Sequence, residues 1–142
     1  MKICTSNGLD MVILTRNEHC PPHAHVGTPK WDARFQFSYW HNGVTLWDVL
    51  PSKNEPSARL LEALRQTLKQ AQHLRLAREL WWASRQTICL DNQKWDLDAE
   101  EVISPKTRRS NALTIVSGHF DVQLYRTLLL LKDQVKPLEI EL

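Results

Sequence analysis

The stretch ARFQFSYWHNGVTLWDVL, residues 33–50, decides the fold that the sequence predicts. Two runs rich in β-branched and aromatic residues, 33–40 and 44–50, flank Asn42-Gly43. An Asn-Gly pair in this position favours a two-residue type I′ turn, because both central residues of that turn need positive φ. The stretch therefore predicts a β-hairpin in which Tyr39 lies opposite Leu46 and Phe37 lies opposite Asp48.

This register divides the hairpin into two faces, since side chains alternate along a strand. The face predicted to lie against the core carries Phe35, Phe37, Tyr39, Leu46 and Leu50. The opposite face places Trp40 and Trp47 among polar residues, including Arg34. A face with two indole rings is too apolar to be left in water. We therefore expect Trp40 and Trp47 to bind a partner.

Leucines after the hairpin follow a helical period. Leu61, Leu64 and Leu68 recur at steps of three and four, and the apolar phase then shifts near residue 74. The shift predicts two helices that meet near residues 70–73, the second running from about residue 74 to about 85. Ser52 or Asn54 is the predicted N-cap of the first helix.

The last third of the chain predicts a helix and a strand. Phe120, Leu124, Leu128 and Leu131 are spaced for a helix that begins after Ser117, and residues 138–142 alternate like an edge strand. The fold class is thus α+β: a small antiparallel sheet with a central Asn-Gly hairpin, packed by two helices, plus a C-terminal helix and edge strand. We expect a single domain over residues 1–142, in which 88–142 extends a 1–87 segment.

Composition excludes several classes of protein. The formal charge of +2 is too small to favour a dedicated nucleic-acid binder. Three scattered cysteines do not form a disulfide framework, so we expect reduced thiols and a cytoplasmic location. The N-terminus does not resemble a signal peptide, and the apolar run 128–131 is far shorter than a membrane span. No membrane partner is expected.

The chemically richest stretch is RNEHCPPHAHV, residues 16–26. Pro21 and Pro22 stiffen it, and a strand beginning at His23 would point His23 and His25 the same way. Nitrogen and sulfur ligands suited to zinc are offered by His19, Cys20, His23 and His25. Glu18 would be a further ligand or a base acting on bound water.

Two other interpretations of this stretch stay open. His23 or His25, with Glu18, could act as general acid and base on nucleic acid without a metal, as in metal-independent RNases. Alternatively the histidines are structural, the chain has no cofactor, and a partner surface overlaps them.

The second predicted helix carries a basic stripe. Arg75, Arg78, Trp82 and Arg85 recur at steps of three and four. Such a stripe can bind a protein partner, or follow phosphates and stack a base. The alternative is a solvated helix face on which Glu79 pairs with an arginine.

The histidine stretch resembles the signature Asn-Asp/Glu-His-x-Pro-Pro-His-x-His-Val of a family of small bacterial proteins of unknown function. It stands here as Asn17-Glu18-His19-Cys20-Pro21-Pro22-His23-Ala24-His25-Val26. The family continues with a short β segment and a helical pair that often ends in Trp, similar to residues 60–82 here. The resemblance covers about the first 85 residues. Cys20 and Ala24 depart from it, standing where the family usually has a polar and an aromatic residue.

Members of that family are often encoded at mobile or toxin–antitoxin-like loci beside a second small protein family. The resemblance therefore implies a protein partner. The predicted function is a cytoplasmic protein–protein interaction module of such a bacterial system, acting with a partner or as a homo-oligomer. The alternative is a small metal- or histidine-dependent enzyme acting on nucleic acid.

Overall fold

The computed structural model describes all residues, Met1–Leu142, and confirms the α+β class. The chain divides into two compact units, which we treat separately. The first unit comprises Met1–Ser38 and Asn42–Gln86, and the second comprises Tyr39–His41 and Thr87–Leu142. No helix combines the length and the apolar character needed to cross a membrane.

The first unit contains a five-stranded antiparallel sheet and two helices. Its strands follow one another in chain order across the sheet. They are β1 (Lys2–Ser6), β2 (Leu9–Val12), β3 (His23–Thr28), β4 (Trp31–Gln36) and β5 (Thr45–Leu50). A short 3-10 turn, Ser52–Asn54, follows, and then α1 (Ala58–Lys69) and α2 (Ala71–Arg85).

A two-residue Asn-Gly turn does occur, but at a different site from the predicted one. Asn7 and Gly8, with φ of 52° and 74°, connect β1 to β2, and Ser6 pairs with Leu9. The predicted Asn42-Gly43 hairpin is not confirmed, since residues 37–44 all lie between β4 and β5. The predicted pairing of Phe37 with Asp48 is wrong, because Asp48 pairs with Arg34.

The register of β3, β4 and β5 separates an apolar face from a polar face. Ala24 pairs with Phe35, Val26 with Ala33, and Ala33 with Val49, and all five of these residues are buried. The opposite face carries His25 beside Arg34 and Asp48. The predicted core residue Leu50 is 56% exposed, because it pairs with Asp32 and so lies on the polar face.

A β-bulge in β5 changes the direction of one side chain. The pairing passes from Arg34–Asp48 to Phe35–Leu46, which leaves Trp47 without a cross-strand partner. Bulges of this kind redirect a side chain and increase the local twist. Trp47 accordingly lies over the Arg34 guanidinium, with the Arg34 carbon Cζ 3.9 Å from the ring centroid.

The two predicted helices are confirmed, and each buries one apolar stripe. Leu61, Leu64 and Leu68 are buried on α1, and Leu74, Ala77 and Trp81 on α2. The N-cap of α1 is Ser57, whose side chain accepts a hydrogen bond from the Leu60 amide, so the predicted caps are wrong. The hydroxyl groups of Ser6 and Thr67, 2.9 Å apart, join α1 to β1.

The second unit is built on another five-stranded antiparallel sheet, in the order β10-β9-β8-β6-β7. Its strands are β6 (Lys94–Asp96), β7 (Glu101–Ile103), β8 (Ala112–Asp121), β9 (Arg126–Leu131) and β10 (Leu138–Glu141). The predicted C-terminal edge strand is therefore confirmed. The predicted C-terminal helix is wrong, because residues 117–131 form parts of β8 and β9 and the turn between them.

Candidate metal centre

The candidate centre lies where the polar face of the first sheet meets the loop between β2 and β3. The loop contributes Glu18, and β3 contributes His23 and His25, two residues apart on one strand face. One ligand-type atom from each of these side chains lies within 4.8 Å of the other two. These three side chains can therefore converge on one ion.

Glu18 reaches the strand because of the backbone just before it. Asn17 has a φ of 57°, a left-handed conformation that asparagine tolerates better than most residues. The Glu18 side chain that follows is only 9% exposed. A carboxylate held so far from water needs compensating positive charge.

His23 is the most buried of the three, with a side chain that is 1% exposed. Its Nδ1 lies 2.8 Å from the carbonyl oxygen of Pro21. A carbonyl can only accept, so Nδ1–H is the donor. In the neutral ring Nε2 then carries a lone pair, and this atom lies 2.5 Å from Glu18 Oε2.

His25 repeats this arrangement with a different acceptor. Its Nδ1 lies 2.8 Å from Asp32 Oδ2, and its Nε2 lies 3.1 Å from Glu18 Oε1. Both contacts are within hydrogen-bonding distance, but a neutral ring can donate from one nitrogen alone. With Nδ1–H donating to Asp32, Nε2 of a neutral ring keeps a lone pair that faces Glu18. A metal-binding histidine typically donates its other ring N–H to a carboxylate or a backbone carbonyl. His23 shows the carbonyl arrangement, with Pro21, and His25 shows the carboxylate arrangement, with Asp32.

The contact between His23 and Glu18 is not a hydrogen bond. Despite the 2.5 Å distance, His23 Nε2 is a buried atom without a hydrogen-bond partner. A neutral imidazole lone pair facing a carboxylate oxygen is repulsive, and burial makes it more so. An ion bound by both groups would need Nε2 and Oε2 at least about 3 Å apart, so a small shift of the Glu18 side chain on binding would replace the repulsive contact with two favourable ones.

The neighbouring charged residues also leave the centre short of positive charge. Arg34 donates from Nε to Asp48 Oδ1 at 2.7 Å and from Nη2 to Asp48 Oδ2. The hydrogen bond from Arg34 holds the pKa of Asp48 below its ordinary value, and the same bond raises the pKa of Arg34. Glu18, Asp32 and Asp48 face a single guanidinium here. With neutral imidazoles the cluster therefore carries two uncompensated negative charges.

Aromatic rings enclose His23 from two sides. Its ring centroid lies 5.2 Å from that of Trp47 and 5.4 Å from that of Trp81. Trp81 is completely buried on α2. This packing fixes the ring plane and keeps water from Nε2, so the orientation of the ligand does not depend on the ion alone.

The structure separates the four sequence-predicted metal ligands into two pairs. His23 and His25 lie in the centre, together with Glu18. His19 lies beside it, its ring centroid 6.3 Å from that of His23, but it is exposed and not one of the converging side chains. Cys20 is exposed and, like Cys89, disulfide-bonded, so the expectation of reduced thiols is wrong and Cys20 offers no thiolate to a metal.

The predicted partner-binding residues differ in their exposure to solvent. Arg78 is completely buried, donating from Nε to the Ser38 carbonyl at 2.8 Å and from Nη2 to Asn42 Oδ1 at 3.0 Å. Arg75 is exposed and pairs with Glu79, as the solvated-face alternative expects. Half-buried residues complete the set: Trp82, Arg85, Trp47 and, in the second unit, Trp40.

Asp32 is the functional side chain that sequence reasoning missed. It lies on β4 opposite Gly27, so its carboxylate reaches diagonally to His25. Alternation along Asp32-Ala33-Arg34 could have indicated a polar strand face. Finding its partner required the register across the Pro29-Lys30 turn, which pairs Thr28 with Trp31.

Comparison with family models, with curated proteins and with solved structures gives no significant match.

Proposed function

We propose that the protein binds one divalent transition-metal ion through Glu18, His23 and His25. The observation that carries this proposal is the buried His23 Nε2, which lacks a hydrogen-bond partner and lies 2.5 Å from a carboxylate oxygen. Imidazole and carboxylate ligands suit Zn²⁺, Fe²⁺ and similar ions. We use zinc as the ion in the test.

Three protein ligands leave at least one coordination position open. Structural zinc sites are closed by four protein ligands, whereas catalytic sites keep a position for water or substrate. A zinc-bound water ionises near neutral pH and is a strong nucleophile. The ligand set therefore favours a reactive ion over a purely structural one.

The test is metal analysis of the full chain purified without a histidine tag. After dialysis against EDTA and titration with ZnSO₄, we expect one zinc per chain by calorimetry and by elemental analysis. Glu18→Gln, His23→Gln and His25→Gln should each abolish stoichiometric binding. His119→Gln, an exposed histidine of the second unit, is the matched control and should bind normally.

A competing arrangement would leave the site without metal. If both imidazoles were protonated, Glu18 would be an ion-pair partner, and Glu18→Gln would destabilise the metal-free protein. The metal proposal expects the opposite, because Glu18→Gln removes a carboxylate that faces two lone pairs. Absence of stoichiometric zinc together with destabilisation by Glu18→Gln would overturn the proposal.

The enzymatic hypothesis from the sequence, action on nucleic acid, extends this proposal. Glu18, His23 and His25 would hold an ion that supplies an activated water for phosphodiester hydrolysis. The water oxygen would bond to phosphorus as one P–O ester bond breaks, and the leaving oxygen would take up a proton. The assay is cleavage of labelled RNA and single-stranded DNA by the zinc-loaded chain. Activity that disappears in His25→Gln supports the hypothesis, and zinc loading without cleavage counts against it.

The second candidate function is the protein-interaction module predicted from the sequence. It is favoured by apolar side chains on the outer surface of the second sheet, where Val116 and Leu130 are 52% and 38% exposed on neighbouring strands. Exposed apolar residues of this kind are commonly part of interfaces. Co-purification from the native host should recover a protein partner, and recovery of nucleic acid alone would oppose this role.

A further inference from the structure

The second unit has an edge strand, β10, that borders a cleft. β10 (Leu138–Glu141) pairs with β9 along one side and ends the sheet order on the other. An edge strand presents a row of backbone N–H and C=O groups that another strand can pair with. Natural proteins usually cover or disrupt such an edge.

Here the edge borders a cleft of about 310 Å³. Four consecutive residues of β10, Leu138 to Glu141, line it. Consecutive strand residues point to opposite faces, so a cleft that all four line must run along the strand's edge. The far wall is formed by Trp40, Trp95, Leu97 and Glu100.

The lining of the cleft combines aromatic, aliphatic and acidic side chains. The Trp40 and Trp95 rings meet edge to face, with centroids 6.0 Å apart, and Leu97 is 44% exposed beside them. The acidic residues are Glu100, Glu139 and Glu141, and Arg126 pairs with the last two. Three carboxylates and one guanidinium leave net negative charge along the cleft.

We infer that β10 accepts an extended segment of a protein partner as an added strand, and that this segment alternates apolar and basic residues. The added backbone would pair with the edge of β10. Side chains on one face of the segment would contact Trp95 and Leu97, and Lys or Arg on the other face would meet Glu139 and Glu141. Main-chain pairing supplies affinity in this mode, and alternate side chains supply specificity.

The inference deepens the protein-interaction proposal and is independent of the metal centre. Its test is selection of a phage-displayed library of random peptides on the immobilised full chain. We expect enriched peptides to alternate β-branched or aromatic residues with Lys or Arg. On binding, the backbone amides of residues 138–141 should gain protection from hydrogen exchange.

Two matched substitutions locate the binding site. Leu97→Asp places a charge on the cleft wall, and Leu124→Asp does the same at a 63% exposed leucine that does not line the cleft. Leu97→Asp should weaken peptide binding by at least about tenfold, and Leu124→Asp should leave it unchanged. The charge-reversed variant Glu139→Lys/Glu141→Lys should lose preference for basic peptides.

Three outcomes would overturn the inference: no enriched sequence, enriched peptides that are acidic, or equal binding to the Leu97→Asp protein. A native partner that binds the Leu97→Asp and wild-type proteins equally would support an interaction module while rejecting β10 as its site. The two proposals can therefore fail separately.

Discussion

Nε2 of His23 and Oε2 of Glu18 lie 2.5 Å apart without forming a hydrogen bond, in a setting where the histidine side chain is 1% exposed. The Nδ1–H of the same ring is committed to the Pro21 carbonyl. The tautomer therefore follows from a backbone contact, and the second ring nitrogen is left as a ligand for a cation.

Asp32 should act as a positioning residue for His25. Its carboxylate lies 2.8 Å from His25 Nδ1 and orients the ring, and it is not one of the three converging ligand groups. Asp32→Ala should lower zinc affinity by about 10–100-fold, the usual cost of losing such an outer partner. Asp32→Asn, which keeps an acceptor oxygen, should cost less.

Asp10→Asn is the control for Asp32. Asp10 lines the same pocket as His25 and Asp32, but its carboxylate accepts a hydrogen bond from Thr5 at 2.7 Å and is not hydrogen-bonded to either histidine. Its zinc affinity by calorimetry should equal that of the wild type. Equal affinities for Asp32→Ala and the wild type would show that His25 is oriented without Asp32.

Arg78 should be the arginine of α2 on which stability depends most. Arg78→Ala removes donors to Ser38 and Asn42 and leaves a cavity in a completely buried position. We expect the free energy of unfolding to fall by about 3 kcal/mol. Arg75→Ala, which loses a surface pair with Glu79 on the same helix, should cost about 0.3–0.5 kcal/mol.

Urea unfolding of the two variants measures both costs. If Arg75→Ala proved as destabilising as Arg78→Ala, the buried contacts of Arg78 would not be the source of the effect.

Asp96 should make the stability of the second unit depend on pH in the acid range. The backbone amide of Ala99 and then the Arg109 side chain hold the pKa of Asp96 below its ordinary value of 3.8. A lowered folded-state pKa stabilises the fold at pH values above 3.8, and this stabilisation is lost as the pH falls through the folded value. Asp96→Asn should therefore be less stable than the wild type at neutral pH, with the difference shrinking in acid.

Thermal unfolding between neutral and strongly acidic pH measures this convergence. Asp91→Asn, at an exposed turn position, is the control and should follow the wild-type curve. A difference for Asp96→Asn that stays constant through the acid range would mean that Arg109 and the Ala99 amide do not act through the Asp96 charge.

Gly118 should be required by the packing of β8. A Cβ at this position would lie 2.4 Å from Ile88 Cδ1, and Ile88 is buried. Gly118→Ala should therefore destabilise the protein by about 1–3 kcal/mol. Ile88→Val removes the nearest atom, so the double variant should be more stable than the sum of the two single costs predicts. Strict additivity in urea unfolding would exclude this contact as the cause.

The sequence predicted the helical pair well because leucine spacing is local information. Leu61, Leu64 and Leu68 fix one stripe of α1, and the phase shift near residue 74 predicts a boundary at 70–73, close to the observed boundary at Gln70. The Asn-Gly signal was equally local but ambiguous, since Asn7-Gly8 carries it as well and forms the two-residue turn. Around Asn42 the loop instead contacts Arg78, a residue from α2 that no local pattern reveals.

The C-terminal error has a related cause. An apolar run such as Leu128–Leu131 satisfies helical and strand patterns alike. Burial in the structure alternates along it: Leu129 and Leu131 are buried and Leu130 is exposed. The pairing of β9 with both β8 and β10 decides between the patterns, and those contacts are distant in the chain.

The candidate site was partly predictable for the same physical reasons. His23 and His25 share a strand face by simple alternation, so their common direction follows from the sequence. The orientation of Glu18 depends on the left-handed Asn17, and the role of Asp32 depends on cross-strand register. Neither the orientation of Glu18 nor the role of Asp32 can be predicted without the three-dimensional structure.

The three converging side chains come from two kinds of backbone structure, a strand and a loop. His23 and His25 belong to β3, an interior strand of the sheet, whereas Glu18 belongs to the connection that leads into it. An ion held by all three would tether that connection to the sheet, so its removal should increase proteolytic cleavage at residues 14–17 while β3 stays intact. Limited proteolysis with and without EDTA would measure this difference. The rate of cleavage in the connection would then report whether the ion is bound.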